Sequence, residues 1–106
     1  MPPIKTSLHE NDVEEGKLIK VGIARKSIVL TRVQGKLYAM DSVCSHRGGP
    51  LEEGTLEGYT LICPWHKGKF DIRNAKASPS TKWVTDLHSY PVSVDSADGL
   101  ISVDIG

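Results

Sequence analysis

The sequence predicts an all-β fold, a small antiparallel β-sandwich or barrel, on two observations. Short runs of alternating apolar and polar residues recur along the chain and are separated by turns that contain glycine. No stretch longer than about ten residues keeps the 3.6-residue period of an amphipathic helix. The 106 residues correspond to one small domain, residues 1–106, and neither a repeat nor a linker divides them.

The first half of the chain predicts one helical turn and a hairpin. Glu10–Glu15 is long enough for a single helical turn. Leu18–Ala24 alternates with a period of two residues, and Ser27–Val33 is rich in β-branched residues. Gln34-Gly35 interrupts this run and Lys36–Met40 resumes it, which is typical of a hairpin.

The second half predicts two short strands and a second hairpin. The short strands are Thr60–Cys63 and Lys69–Ile72, and the aperiodic stretch Arg73–Thr85 is interpreted as a surface loop. In the hairpin, Asp98-Gly99 forms the turn between two alternating apolar faces. The first face is Tyr90, Val92 and Val94, and the second is Ile101, Val103 and Ile105.

Charge and hydropathy exclude several classes of function. Lys plus Arg and Asp plus Glu number 13 each, so the net charge is zero. A neutral chain has no overall field that would hold nucleic acid or an anionic membrane. No apolar run approaches the roughly 18 residues of a membrane span, and the start lacks the apolar segment of a secretory signal. We therefore expect a cytoplasmic monomer that binds neither nucleic acid nor membrane.

Two cysteine–histidine pairs are the residues that indicate a function. Cys44 and His46 form a C-x-H pattern, sixteen residues follow, and Cys63 and His66 form C-x-x-H. Both pairs lie in predicted loops at strand ends, residues 44–50 and 63–68, where functional groups are commonly held on a rigid scaffold. A reducing cytoplasm disfavours a disulfide between the cysteines. Thiolate and imidazole are the donors that suit soft or borderline metals.

Two metal centres fit these donors. One zinc ion bound by all four side chains would staple an interaction module. Zinc sites, however, usually place two like ligands in one short knuckle, whereas each loop here offers one thiolate and one imidazole. That alternation suits two metals, because short cysteine side chains reach an inner ion and longer histidine side chains reach an outer one. A [2Fe–2S] cluster with both histidines on one iron has this arrangement.

With these two motifs the chain resembles a Rieske-type ferredoxin, most strongly over Cys44–Ile72. The resemblance implies a Rieske-like fold with a cluster-binding subdomain of two loops, in which Cys44 and Cys63 bind one iron and His46 and His66 the other. It implies a soluble one-electron carrier, not an enzyme, between a ferredoxin reductase and a terminal oxygenase or other oxidoreductase. A small iron–sulfur subunit of a larger reductase is a further alternative. The low content of Asn and Gln suggests a thermophilic, archaeal member.

Four positions differ from the respiratory branch of that family. The resemblance places that branch's disulfide at Gly49 and Trp65, and its two cluster-facing hydroxyls at Gly68 and Phe70. Hydrogen bonds to cluster sulfurs raise the reduction potential. We therefore expect a potential toward the low end of the Rieske range of roughly −150 to +300 mV, which a redox titration would measure.

The surface near the loops allows two interpretations. Pro50, Leu51, Pro64 and Trp65 form either an apolar rim for brief docking or simple packing over the cluster. Basic side chains follow the second cysteine, and they either orient an acidic partner or form an ordinary solvated surface, which is the commoner case. The basic side chains are Lys67, Lys69, Arg73, Lys76 and Lys82, and the acidic ones before them are Glu52, Glu53 and Glu57.

Overall fold

The computed structural model describes residues 3–44, 48–65 and 67–105. These residues contain ten β-strands and two short 3₁₀ turns, Glu10–Asp12 and Leu51–Glu53, and no α-helix. The strands in chain order are β1 (Ile4–His9), β2 (Leu18–Ile23), β3 (Lys26–Val33), β4 (Lys36–Asp41), β5 (Thr55–Glu57), β6 (Thr60–Ile62), β7 (Lys69–Asp71), β8 (Ser89–Tyr90), β9 (Val92–Val94) and β10 (Leu100–Val103). The predicted all-β fold is confirmed.

The strands form three antiparallel sheets. Their orders are β1-β10-β9, β2-β3-β4-β8 and β5-β6-β7. Every pairing between strands of these sheets is antiparallel, as expected. The third sheet is the one that positions the second cysteine, because Cys63 directly follows β6. The assignment of residues 1–106 to a single domain stays a prediction.

The middle sheet is buried on both of its faces. Alternate residues of β3 pack into two separate apolar clusters: Val29 and Val33 face one, and Ile28 and Leu30 face the other. The first cluster also contains the two cysteines and Phe70 of β7. This explains the unbroken apolar run of Ile28, Val29 and Leu30 at the centre of β3, since the part of a strand that is covered on both faces needs no polar side.

The predicted first hairpin is confirmed and extends into a three-stranded meander. Two-residue turns join β2 to β3 at Ala24-Arg25 and β3 to β4 at Gln34-Gly35. All four turn residues have positive φ, at 48°, 69°, 52° and 79° in chain order. Positive φ at both central positions is the type I′ geometry that matches the twist of paired strands.

The predicted apolar face of Tyr90, Val92 and Val94 is wrong in one respect. The β9–β10 hairpin forms as expected, with Ile101 opposite Val94. Tyr90, however, lies in β8 and pairs with Ala39 of the middle sheet. Pro91 separates the two strands, and a proline has no N–H to continue a ladder. The chain therefore crosses from one sheet to another inside an apparently continuous run.

The stretch Arg73–Thr85 is irregular, as predicted, but it is not simply a surface loop. Ala75, Thr81 and Val84 are 0%, 4% and 6% exposed, respectively. Its buried residues join the cluster that contains the cysteines or lie beside it. This segment therefore packs against the candidate site.

No helix in the described part of the chain is long and apolar enough to span a membrane.

Candidate metal centre

The fold brings Cys44 and Cys63 together in the core. Cys44 lies three residues beyond the end of β4, and Cys63 immediately follows β6. The two residues are 2% and 0% exposed, and no disulfide joins them. Their thiols are close enough that Cys63 hydrogen-bonds with Cys44. The structure thus places the two predicted sulfur ligands side by side.

The two cysteine loops close in the same way. The backbone N–H of Cys44 donates to the carbonyl of Gly49 at 2.8 Å, and that of Cys63 donates to the carbonyl of Gly68 at 2.7 Å. Each loop therefore begins at a cysteine and ends at a glycine five residues later. Both loops are therefore closed by the same type of backbone hydrogen bond, and each reverses the chain next to its cysteine.

Both loops also contain a left-handed residue four positions after the cysteine. Gly48 has a φ of 69°, and Lys67 has a φ of 57°. Glycine adopts this conformation at little cost, whereas a lysine is strained there. The second loop therefore has the same turn as the first, although its left-handed residue is a lysine instead of a glycine.

Gly49 and Gly68 leave no room for a side chain. A Cβ on Gly49 would lie 2.6 Å from Cys63 Sγ and 3.2 Å from Trp65 Cβ. A Cβ on Gly68 would lie 2.7 Å from Val84 Cγ1. Positions 49 and 65 are therefore neighbours across the two loops, as the resemblance implies for the disulfide pair, but glycine and tryptophan supply no cross-link there.

The environment of Cys63 is suited to a metal-bound thiolate. The pKa of Cys63 is raised to about 11, chiefly by burial and also by the interaction with Cys44, against the lowering effect of the Trp65 N–H. That N–H donates to Cys63 Sγ at 3.4 Å. A buried thiol of this kind is deprotonated at neutral pH only by a strong nearby positive charge, such as iron or zinc. Two buried cysteines side by side, with Gly49 packed closely against Cys63, fit a bound metal.

The two predicted imidazole ligands, His46 and His66, lie outside the described residues. The set of four ligands therefore stays a prediction. Of these four residues, the structure describes only the two cysteines. Of the other histidines, His9 accepts a hydrogen bond from the Asn11 N–H at 3.0 Å. His88 is exposed and follows the irregular segment before β8.

Sequence reasoning missed two residues that support the second loop. Thr81 is buried, and its Oγ1 accepts a hydrogen bond from the Lys69 N–H at 3.3 Å. Val84 is buried and packs over Gly68. Both residues belong to an aperiodic segment and reach the loop through tertiary folding, so no local pattern marks them.

Comparison with known sequences identifies one family and a close set of relatives. The family model described as the Rieske [2Fe-2S] domain matches residues 5–91, which include both cysteine loops. The ferredoxin component of the naphthalene 1,2-dioxygenase/salicylate 5-hydroxylase systems of Ralstonia sp. is 34% identical over 96 residues. That alignment covers 89% of each protein.

Comparison with solved structures agrees with the sequence matches. The ferredoxin of carbazole 1,9a-dioxygenase from Nocardioides aromaticivorans IC177 superposes with a TM-score of 0.87 over 98% of each chain, at 23% identity. A chain from the complex of reduced oxygenase and oxidised ferredoxin in carbazole 1,9a-dioxygenase has a TM-score of 0.80 and 27% identity, over 91% of this chain and 87% of that one. The first of these similarities supports the fold alone.

Proposed function

The chain belongs to the Rieske [2Fe–2S] domain family, and we propose that it is a one-electron carrier and not an enzyme. Family membership implies a [2Fe–2S] cluster, which supplies a reversible one-electron redox change when bound. We assign Cys44 and Cys63 to one iron and His46 and His66 to the other. The observation that carries the proposal is the pair of adjacent buried thiols at the ends of two matched loops.

The residues of the chain hold and shield the redox group. The two loops converge on one point, and the buried thiols there are removed from bulk water. Two thiolates and two neutral imidazoles carry two fewer negative charges than four thiolates. Addition of an electron is therefore easier than in a four-cysteine centre, which gives Rieske centres higher potentials than plant-type ferredoxins.

We propose a ferredoxin reductase as the electron donor and a terminal oxygenase as the acceptor. The relative from Ralstonia sp. is the ferredoxin component of a dioxygenase system, and a similar chain comes from an oxygenase–ferredoxin complex.

We also place the carrier in the cytoplasm, because two neighbouring thiols escape oxidation to a disulfide in a reducing compartment. Retention of the protein in the cytosolic fraction of its host tests that location.

The test of this function is the composition and redox stoichiometry of the anaerobically reconstituted protein. We expect two irons and two acid-labile sulfides per chain, a coloured oxidised form and uptake of one electron per chain. His46→Ala should lower the iron content and change the visible spectrum, whereas His88→Ala, at an exposed site outside both loops, should leave them unchanged. One zinc per colourless chain would contradict the proposal.

A further inference from the structure

Exposed apolar side chains concentrate at the end of the molecule that carries the cysteine loops. Of the four large apolar side chains exposed among the described residues, three are at this end: Val43, Trp65 and Trp83, at 47%, 48% and 48%. The fourth, Val94, lies on β9 in a different sheet and is 36% exposed. Clustered exposed apolar side chains mark interaction sites more often than isolated ones do.

Neither of the two interpretations of Pro50, Leu51, Pro64 and Trp65 holds for the whole set. Leu51 is fully buried in the cluster that contains the cysteines, because the 3₁₀ turn that begins there folds it inward. Pro50 is half-buried, while Pro64 and Trp65 are exposed, as in an apolar rim. The exposed apolar surface therefore lies on the side of the second loop, where Trp83 adds to it.

Trp83 belongs to a turn whose two ends are anchored beside the second cysteine loop. The Val84 N–H donates to the Thr81 carbonyl at 3.3 Å and closes the turn. Thr81 is hydrogen-bonded to the backbone of Lys69, and Val84 packs over Gly68. The turn is thus held rigidly against the residues that end the loop.

The two tip residues of this turn, Lys82 and Trp83, are exposed. A half-exposed indole contributes little to the core while keeping a large apolar face available to another surface. Its position on an anchored turn means that little side-chain or backbone ordering would be needed on docking. The turn therefore presents one cation and one aromatic ring beside the candidate metal centre.

The positive charge on this side is available to a partner. Neither Lys69 nor Lys82 forms an ion pair with any residue that the structure describes. Arg73 differs, because its guanidinium pairs with Asp71 at 2.8 Å. Lys67 lines a separate hollow that also contains Glu53 and Glu57. Lys69 and Lys82 adjoin the anchored turn, so they are the unpaired cations that an acidic partner docking at that turn would meet.

We propose that Trp65, Trp83, Lys69 and Lys82 form the docking surface for a redox partner whose own patch is apolar and edged by carboxylates. This inference rests on the proposed electron-carrier function. Apolar contact with the two indoles would supply affinity, and the two lysines would orient the approaching acidic surface. Docking here brings the partner against the loop that begins at Cys63, so the electron crosses on that side.

The test measures electron exchange between the reconstituted protein and gold electrodes of defined chemistry. One electrode carries a mixed monolayer of carboxylate- and methyl-terminated alkanethiols, and the other carries ammonium- and methyl-terminated ones. We expect the interfacial electron-transfer rate to be about tenfold higher on the carboxylate surface, and the preference to shrink as salt is added. A preference for the ammonium surface would overturn the proposal.

Two double variants change the net charge of the protein by the same amount but at different places on its surface. Lys69→Glu combined with Lys82→Glu should abolish the preference for carboxylate. Lys17→Glu combined with Lys20→Glu, at exposed sites on or before β2, changes the net charge equally and should preserve it. Identical behaviour of the two double variants would refute the proposal. Lys82→Glu alone, at a turn tip, repeats the test if the first double variant folds poorly.

The aromatic contribution is tested separately. Trp83→Ser should lower the electroactive coverage on the carboxylate surface several-fold while leaving the salt dependence unchanged, whereas Val94→Ser should change neither. Equal coverage for both variants would exclude Trp83 from docking.

A reversible voltammetric wave on bare graphite shows that the carrier function is intact. Absence of a wave on every electrode would instead contradict the proposed function.

Discussion

At the scale of single residues, Gly49 controls how closely the two cysteine loops approach. Its missing Cβ would lie 2.6 Å from Cys63 Sγ, which is too close for a carbon and a sulfur that are not bonded. Gly49→Ala must therefore displace the sulfur or open the loop. We expect the reconstituted variant to lose its iron to a chelator about tenfold faster than the wild type, measured by the decay of visible absorption.

The control for this prediction is Gly22→Ala. Gly22 lies in β2, its φ is not positive, and no atom lies within 4 Å of its added Cβ. The substitution should leave iron retention unchanged. If Gly49→Ala and Gly22→Ala retain iron equally, the close contact with Cys63 has no part in holding the metal.

The candidate ligand residues are marked in the sequence, but the residues that shape their surroundings are not. Cys44 and Cys63 are marked by local spacing, because each precedes a histidine by two or three positions. The contact between Gly49 and Cys63, and that between Gly68 and Val84, join segments far apart in the chain.

At the scale of elements, the hydroxyl of Thr81 fastens the irregular segment to β7. Its Oγ1 accepts a hydrogen bond from the Lys69 N–H at 3.3 Å and lies 3.2 Å from the Ser78 carbonyl. Thr81→Val keeps the shape but leaves a partly buried N–H without this acceptor. We expect the free energy of unfolding to fall by about 1–2 kcal/mol, measured by urea denaturation.

Thr81→Ser distinguishes the contribution of the Thr81 hydroxyl to stability from that of its methyl group. It retains the oxygen that accepts from Lys69, so most of the stability lost in Thr81→Val should return. A serine variant as unstable as the valine variant would show that packing of the methyl group, and not the hydrogen bond, holds the segment.

Elements built from neighbouring residues were predicted, and elements built from distant ones were missed. The hairpin of β3 and β4 was found because its turn and its alternation are local. Strand β1 was missed because its partner, β10, lies at the other end of the chain. Strand β5 is only three residues long, too short for its alternation to be distinguished from chance.

At the scale of the whole molecule, Tyr90 lies in the apolar cluster shared by two sheets and makes stability depend on pH. Its hydroxyl donates to Asp41 Oδ1 at 2.6 Å. Burial, and then this bond to a carboxylate, hold the pKa of Tyr90 well above its usual range. The neutral phenol is favoured in the folded state, so its contribution is complete below pH ~10, the unfolded value, and is lost as pH rises above it.

We therefore expect the free energy of unfolding to decrease between pH 10 and 11, with a contribution from Tyr90 that approaches about 1.4 kcal/mol per pH unit. Urea denaturation at several pH values measures this slope. Tyr90→Phe should be less stable at pH 8 but should show a shallower decline above pH 10. An unchanged slope in the phenylalanine variant would mean that other groups cause the alkaline loss.

The overall class was predictable, but the layering of the sheets was not. Short alternating strands indicate an antiparallel β-protein, and the unbroken apolar run of Ile28, Val29 and Leu30 in β3 is consistent with a strand buried on both faces. Which sheet covers each face depends on contacts between segments far apart in sequence. The crossing at Pro91, which sends Tyr90 and Val92 to different sheets, is the clearest example.

The proposed centre has two thiolates on one iron and two imidazoles on the other. Pulsed EPR of the reduced protein, grown with ¹⁵N-labelled histidine, tests it directly. We predict a rhombic signal with strong couplings to two histidine nitrogens, lost from variants in which His46 and His66 are replaced by alanine. A reduced cluster without strong histidine nitrogen couplings, or couplings that persist in the double variant, would refute this ligand assignment.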